Sequence, residues 1–166
     1  VPLLQPVAVA GAAVAASARM RGSWAVMVRC PAPVPLPWDG AFINNGPLRW
    51  VARDCSKPGR TVPLGTETWL LHASPEWSEA HIEDSADTVS ATLLAAFAAL
   101  GGPATHLVQA TAHRWRYADT EPALTQGHWW DATACVGMCG DWLNGGKVEG
   151  AWLSGQSLAQ QVLQAR

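Results

Sequence analysis

The sequence contains few charged residues and no excess of either sign. Lysine and arginine number 11, aspartate and glutamate number 13, and charged residues make up 14% of the 166 positions, which gives a formal net charge of −2. A chain without a basic excess lacks the positive surface by which proteins hold the phosphates of nucleic acid or of an anionic membrane. The composition therefore argues against both kinds of partner.

Several motifs that would define a catalytic or cofactor site are missing. The apolar segment Val9–Val14 contains the single glycine Gly11 where a dinucleotide loop needs G-x-G-x-x-G, and no G-x-S-x-G nucleophile elbow occurs. His106, His113 and His128 have no carboxylate at ligand spacing, which argues against a zinc or iron site. We predict no metal centre.

The cysteines and the N-terminal segment carry no redox or targeting signal. Cys30, Cys55, Cys135 and Cys139 match neither a redox C-x-x-C nor a zinc ribbon, and we interpret them as buried free thiols. The segment Val1–Ala18 is apolar, but it has no basic region and is interrupted by prolines and a glycine. We expect neither a signal peptide nor a membrane anchor, and a cytoplasmic protein.

Apolar residues, and tryptophan in particular, are abundant. Hydrophobic residues make up 49% of the chain, and 10 tryptophans stand against 2 phenylalanines and 1 tyrosine. A chain of this length can bury one core, and two full domains are not expected. Tryptophan supplies large flat surfaces both to cores and to ligand pockets, so we expect both uses.

Periodicity and turn residues predict an α+β fold. Ser85 precedes a helical pattern in which Val89, Leu93 and Phe97 fall on one stripe. The predicted helices cover 7–20, 74–84, 86–100 and the segment from 148. The predicted strands cover 23–29, 48–54, 67–72, 106–111 and 134–138. The segment 113–117 is predicted either to continue the strand 106–111 or to form its neighbour. This order predicts a mainly antiparallel sheet with helices on one side.

One stretch, Cys139–Gly155, carries a specific signal. It follows a short apolar run and leads into the final helical pattern, in the order strand, loop and helix. The apolar stripe predicted for this last helix consists of Trp152, Leu153, Leu158, Val162 and Leu163. Gly145 and Gly146 allow a sharp turn and a close approach to a ligand, and the free amides of a helix that begins near Val148 attract electron-rich atoms. Asp141 can accept hydrogen bonds from sugar or ribityl hydroxyls.

The pair Gly140–Asp141, followed by the run Gly146–Gly155, resembles the C-terminal FAD-contacting motif of the flavin-dependent amine oxidase superfamily. In that superfamily the acidic residue after the strand binds the ribityl and pyrophosphate region, and the helix points its N-terminus at the pyrimidine end of the flavin. The resemblance implies that FAD is contacted by Asp141, Trp142, Val148, Glu149 and Gly150. The alternative is a tight strand-to-helix turn that uses glycine for backbone geometry alone.

Further segments resemble the bacterial renalase-like branch of this superfamily, namely the tryptophan-containing runs 24–27, 38–42, 50–60, 69–78 and 113–117. The resemblance covers nearly all of this chain but only the C-terminal half or so of such a protein, without the Rossmann half. It implies the substrate domain of a p-hydroxybenzoate-hydroxylase-like FAD oxidoreductase fold. Residues 1–132 would form the substrate-binding α+β domain, and 133–166 the flavin-contacting segment.

Enzymes of the renalase-like branch oxidise isomeric dihydronicotinamide dinucleotides by hydride transfer to FAD and pass the electrons to O₂. The resemblance implies that this chain provides the substrate side of such an oxidoreductase, for a dihydronicotinamide- or amine-type substrate, and that Phe42, His72 and Trp115 line the cavity. From the residues alone, Phe42 and Trp115 fit a core equally well, and His72 could merely satisfy a backbone carbonyl. A substrate phosphate or carboxylate could be held by arginines that could equally be solvated: Arg49, Arg53, Arg114 and Arg116.

Three functions of different classes are open. The chain could be part of a flavoprotein that is catalytic only with an N-terminal FAD-binding half, a free-standing binding module without redox activity, or a partner that docks on a separate FAD-binding chain. The flavin colour of purified preparations would separate them. Colour in the chain alone would favour a self-sufficient enzyme, and a colourless monomer would favour the binding module. Colour only after mixing with a Rossmann partner would favour the split arrangement. An incomplete chain would also expose apolar surface, so we expect self-association into a homo-oligomer.

Overall fold

The computed structural model describes residues 1–104 and 106–165. Its helices and strands, in chain order, are α1 Val9–Ser17, β1 Met20–Cys30, β2 Gly40–Phe42, β3 Leu48–Arg53, β4 Glu67–Ala73, α2 Pro75–Ala80, α3 Ala86–Ala99, β5 Gln109–Thr120, β6 Trp129–Asp131, β7 Val136–Met138 and α4 Val148–Gln164. Single turns of 3-10 helix lie at Asp54–Ser56 and Asp141–Leu143. Within the described part of the chain, no helix combines the length and the apolar character that crossing a membrane requires.

The chain forms two compact units, a larger one of residues Gly22–Ala118 and a smaller one that combines Val1–Arg21 with Asp119–Arg166. The boundary predicted between 132 and 133 lies inside the smaller unit. The chain passes from one unit to the other within β1 and β5, because both strands continue across the division.

The larger unit contains a five-stranded antiparallel sheet in the order β2-β3-β4-β1-β5. Its register places Val26 of β1 and Val51 of β3 on either side of Leu71 of β4. All three are fully buried, and they share one core cluster with Val89, Leu93 and Phe97 of α3. This confirms the predicted α+β class and the antiparallel sheet, while the more specific fold assignment stays a prediction.

Local signals account for the helices of this unit, with shifted ends. Ser85 caps α3 as predicted, because its hydroxyl accepts a hydrogen bond from the amide of Thr88 at 3.1 Å. The helix predicted over 74–84 ends at Ala80, where the amide and the ring of His81 both bond to the carbonyl oxygen of Trp77. The two strands predicted at 106–117 are one continuous strand, β5.

The sheet has a second face, turned away from α3, which we call the distal face. Along β4, Trp69 and Leu71 are buried towards the helix, whereas the alternate residues are only partly buried. The cross-strand register extends this alternation to the neighbouring strands. On β1, β3 and β4 the distal face consists of Ala25, Met27, Arg29, Trp50, Ala52, Thr68, Leu70 and His72.

The smaller unit contains α1, the β6–β7 hairpin and α4. Ser154 of α4 is fully buried, accepts a hydrogen bond from the amide of Gly140 at 2.9 Å and donates one to the carbonyl of Gly127. The apolar stripe predicted for α4 is wrong in part, since Trp152 and Leu163 are 64% and 69% exposed. Small residues rather than tryptophan form the packing side of α4, because they let the helix lie close to the loop before it.

Candidate functional site

An aromatic row crosses the distal face of the larger unit. Phe42 of β2 pairs with Trp50 of β3, and Trp50 pairs with His72 of β4, so three strands each contribute one side chain to the row. The ring centroids of Phe42 and Trp50 lie 4.6 Å apart with an interplanar angle of 51°. Such tilted pairs are favourable and leave ring faces available for another flat group.

Trp115 belongs to the same face. On β5, Ala110 and Ala112 pack towards the core and Arg114 lies over the ring of Trp24, which is itself in the core. Because side chains alternate along a strand, the residues between and beyond them face the distal side. His113 and Trp115 therefore project there, with their ring centroids 4.5 Å apart in an edge-to-face arrangement.

The structure thus places all three predicted substrate-binding residues on one face of one sheet. Phe42 is 72% and Trp115 is 53% exposed, so the alternative of two core residues is wrong. Sequence reasoning missed Trp50 and His113 as members of this surface. The strict alternation of β-strand residues around Val51 was the signal that could have found Trp50.

His72 is held in its neutral form. Partial burial, and to a lesser extent the charge of Lys57, lower the pKa of the His72 imidazole below its usual 6.5. A neutral imidazole can both donate and accept a hydrogen bond, which suits recognition of a polar group on a flat ligand.

We expect stability to fall as the solution is acidified, and His72 to be one cause. The unfolded chain takes up a proton near pH 6.5, whereas the folded chain takes it up only at lower pH. The free energy of unfolding should therefore decrease as the pH drops from 7 through 6.5 towards the folded pKa. H72Q should flatten this part of the stability profile measured by chemical denaturation, and an unchanged slope in H72Q would contradict the assignment.

Three of the four arginines considered as anion anchors have acidic partners. Arg53 bonds to the buried Glu67 at 2.5 Å, and Arg116 bonds to the exposed Glu83 at 2.6 and 2.9 Å. The same Glu83 lies 3.3 Å from Arg114. These contacts bind the three guanidinium groups to carboxylates of the protein.

The residues predicted to contact FAD lie together in the smaller unit. Asp141 and Trp142 form the single 3-10 turn before the loop, and Val148, Glu149 and Gly150 form the first turn of α4, which begins where the sequence predicted. No side chain caps that helix, and Val148 is 90% exposed. Val148 and Glu149 are thus exposed residues whose amides have no side-chain cap, whereas Gly150 is buried against the loop.

The loop holds this arrangement through backbone geometry. Gly145 and Gly146 have φ angles of +81° and +70°, which residues with a side chain rarely adopt. The carbonyl of Asp141 accepts hydrogen bonds from the amides of Asn144 and Gly146, both at 2.8 Å. The carboxylate of Asp141 accepts one bond, from the amide of Trp142 at 2.9 Å, and stays exposed. Uncapped amides and an exposed carboxylate in one segment are groups that can hydrogen-bond to the polar atoms of a ligand.

The interpretation of the cysteines as buried thiols is correct for Cys30 alone. Cys55 is half-buried, and Cys135 and Cys139 are exposed, all as free thiols. Burial, followed by the nearby charge of Glu67, raises the pKa of Cys30 to about 11. Cys30 therefore stays protonated at neutral pH and is a poor nucleophile.

Comparison with known proteins supports the fold and goes no further. No family model matches the sequence. A crystal structure of reduced UDP-galactopyranose mutase matches with a TM-score of 0.67 and 14% sequence identity over 93% of this chain and 36% of that one. A candidate protoporphyrinogen oxidase from Exiguobacterium sp. 255-15 matches with a TM-score of 0.61 and 10% identity over 72% of this chain and 27% of that one. This chain spans about a third of the length of these two proteins or less.

Proposed function

We propose that this chain is the substrate-binding and flavin-contacting part of an FAD-dependent oxidoreductase. The proposal goes beyond the shared fold, because two neighbours of low identity and partial coverage do not define an activity. The observation that carries it is the loop from Asp141 to the first turn of α4, where the carboxylate of Asp141 and the uncapped residues Val148 and Glu149 are all exposed. FAD, when bound, would accept the hydride and pass the electrons on.

The distal face supports the substrate half of the proposal. Phe42, Trp50, His72 and Trp115 present aromatic rings on one side of a sheet, and Phe42 and Trp115 remain more than half exposed there. Flat rings bind other flat rings by stacking, so this surface suits a dihydronicotinamide- or amine-type substrate with a planar group. In this role His72 would orient the substrate, and no residue of the chain is assigned a catalytic step.

The finer assignment is that the chain corresponds to the C-terminal half of a bacterial renalase-like protein of the amine oxidase superfamily. Its support is the set of tryptophan-containing runs together with the Gly140–Asp141 and Gly146–Gly155 motif. On this assignment, an N-terminal FAD-binding half or a partner chain supplies the contacts to the adenosine and pyrophosphate. The chain alone should then be colourless after purification and should take up FAD substoichiometrically, since most of the binding energy lies elsewhere.

The flavin contact can be tested on the chain by itself. Titration with riboflavin, which lacks the adenosine part, should give weak but saturable quenching of flavin fluorescence. Asp141→Asn should weaken this binding about tenfold, because a hydrogen bond to a charged acceptor is replaced by one to a neutral amide. Isothermal titration with the same ligand provides a second readout without optical interference from tryptophan.

A matched control is Asp87→Asn, which removes an exposed carboxylate from the first turn of α3. It should leave riboflavin binding unchanged. Equal binding by the wild-type chain and D141N, or no saturable binding up to the solubility limit of riboflavin, would overturn the assignment of Asp141. Stoichiometric FAD in the purified chain would instead show that no second half is needed.

A further inference from the structure

A cavity of about 680 Å³ opens on the distal face beside the aromatic row. Its floor is made by the last part of β1 and the first parts of β4 and β5, and its wall by the loop after β3. The lining side chains that matter here are Met27, Arg29, Arg60, Val62, Thr68 and Leu70. The cavity therefore combines an apolar floor with two arginines at one end.

Arg29 is the unusual member of this lining. Its Nε atom is fully buried and has no hydrogen-bond partner. Among residues 1–104 and 106–165, no carboxylate lies within ion-pair distance of its guanidinium group, although other arginines of the chain have such partners. A buried donor without an acceptor is destabilising, and more so when it is charged. Because Arg29 lines the cavity, an anion bound there to the rest of the guanidinium group would offset part of this penalty through its charge, without reaching the buried Nε atom itself.

The charges around the cavity favour an anion. Asp54 is the acidic residue of the lining, and it is already shared between Lys57 at 2.8 Å and Arg60 at 3.5 Å. With Arg29 included, three cations face one carboxylate. Hydroxyl and amide donors complete the set, since Gln109 and Thr111 lie in the lining with their side chains 3.2 Å apart.

The geometry points to a subsite for the anionic group of an elongated, partly apolar ligand, a carboxylate or a phosphate monoester, bound by Arg29 with help from Arg60. The planar guanidinium of Arg29 matches either anion through paired hydrogen bonds. Met27, Leu70 and Val62 would cover the adjoining apolar part of the ligand.

The register of the sheet sets the length of that ligand. His72 of β4 lies in the aromatic row. Thr68 lies four residues before His72 on β4, and Arg29 of β1 pairs with Thr68. At about 3.3 Å per residue, the row and the subsite are about 13 Å apart along the distal face. A substrate with its planar ring on the aromatic row would carry its anionic group at that distance. Only this identification of the ligand as the substrate rests on the proposed function.

The subsite is tested with small probes that need neither flavin nor a partner chain. Phenylacetate and phenyl phosphate present the two anions on an apolar ring, 2-phenylacetamide is the uncharged match, and inorganic phosphate lacks the apolar part. We expect both aromatic anions to bind more tightly than 2-phenylacetamide and inorganic phosphate in isothermal titration. Their addition should shift the NMR resonance of the Arg29 Nε–H group. The tighter of the two anions identifies the ligand class.

Variants decide whether Arg29 is responsible. Arg29→Gln should weaken the aromatic anions about tenfold while leaving 2-phenylacetamide unaffected, and Arg29→Lys should retain part of the binding. If R29Q fails to fold, Arg60→Gln gives the same test at an exposed position, with a smaller loss of affinity for the aromatic anions. Arg19→Gln removes an exposed arginine that does not line this cavity and is the matched control.

The inference is overturned if neither aromatic anion binds the wild-type chain, or if R29Q and R60Q bind as the wild type does. Equal losses in R19Q and R29Q would also overturn it, since they would reflect overall charge. These outcomes are independent of the riboflavin titration. A failed flavin test with an intact anion effect would reject the flavoprotein proposal alone, and the reverse result would reject the subsite alone.

Discussion

Replacing Glu67 with alanine should lower the free energy of unfolding of the larger unit by about 3–5 kcal/mol, since it leaves a buried cation without its partner. The carboxylate of Glu67 is the centre of a buried polar network. It accepts hydrogen bonds from Arg53 at 2.5 Å, from the indole of Trp69 at 3.0 Å and from the amide of Val34 at 3.1 Å. The network ties the proline-rich segment after β1 to the sheet.

The remaining partners of Arg53 cannot replace Glu67. The Nε atom of Arg53 is 2.9 Å from the carboxylate of Asp39, but it is not aligned for a hydrogen bond, and that carboxylate is largely exposed. Exposed ion pairs contribute little because water screens them. The guanidinium also lies 4.7 Å from the ring centre of Trp69, so losing Glu67 would disturb the packing of that tryptophan.

Chemical denaturation followed by tryptophan fluorescence measures the effect of E67A, and thermal unfolding should show a decrease of roughly 10 °C. Glu83→Ala is the control, because Glu83 also pairs with arginine but is exposed. It should change stability much less than E67A. Similar losses in the two variants would show that burial is not what gives the Glu67 network its strength.

Gly150→Ala should destabilise the smaller unit by about 1–3 kcal/mol through overpacking and reduce riboflavin binding about tenfold or more. A Cβ atom at position 150 would overlap the carbonyl oxygen of Asn144, and backbone cannot yield as a flexible side chain can. The side chain of Asn144 also bonds to the carbonyl of Gly150 at 3.2 Å. The added methyl group would therefore push the first turn of α4 away from the loop that carries Asp141.

The same helix contains its own control. Gly155 lies inside α4, and a Cβ atom added there meets nothing within 4 Å. Gly155→Ala should stabilise the unit by roughly 0.5–1 kcal/mol, because alanine loses less backbone freedom in a helix. Thermal unfolding of the two variants should thus move in opposite directions. Loss of riboflavin binding in G155A as well would show that α4 as a whole is sensitive and that its N-terminus has no special role.

Much of the fold could be predicted because its signals are local. Ser85 caps α3 and the apolar stripe of that helix is buried, since hydrogen bonding and hydrophobic period act over a few residues. The antiparallel pairing of β3 with β4 followed from a turn-rich connection between two strand patterns. The end of α2 at Ala80 and the continuity of β5 depended on contacts that a local pattern does not contain.

The candidate site was predictable only in part. The glycines and the aspartate of the loop before α4 could be read directly, because the turn geometry demands them. The alternation around Val51 could have placed Trp50 on this face of the sheet, but not beside Phe42 and His72, which come from other strands. That Arg29 lines a cavity could not be read, since strands and a loop that are distant in sequence form it.

By itself, the sequence determined the chemistry available to this protein: a near-neutral, tryptophan-rich α+β chain with one glycine-bearing loop before a final helix. Only the tertiary structure decided which charged side chains pair with one another inside the protein and which line a cavity where a ligand could bind. It paired Arg53 with Glu67 and left the buried Nε atom of Arg29 without an acceptor among the described residues. The physical reason is that the free energy of a buried charge depends on what surrounds it, and cross-strand register sets those surroundings.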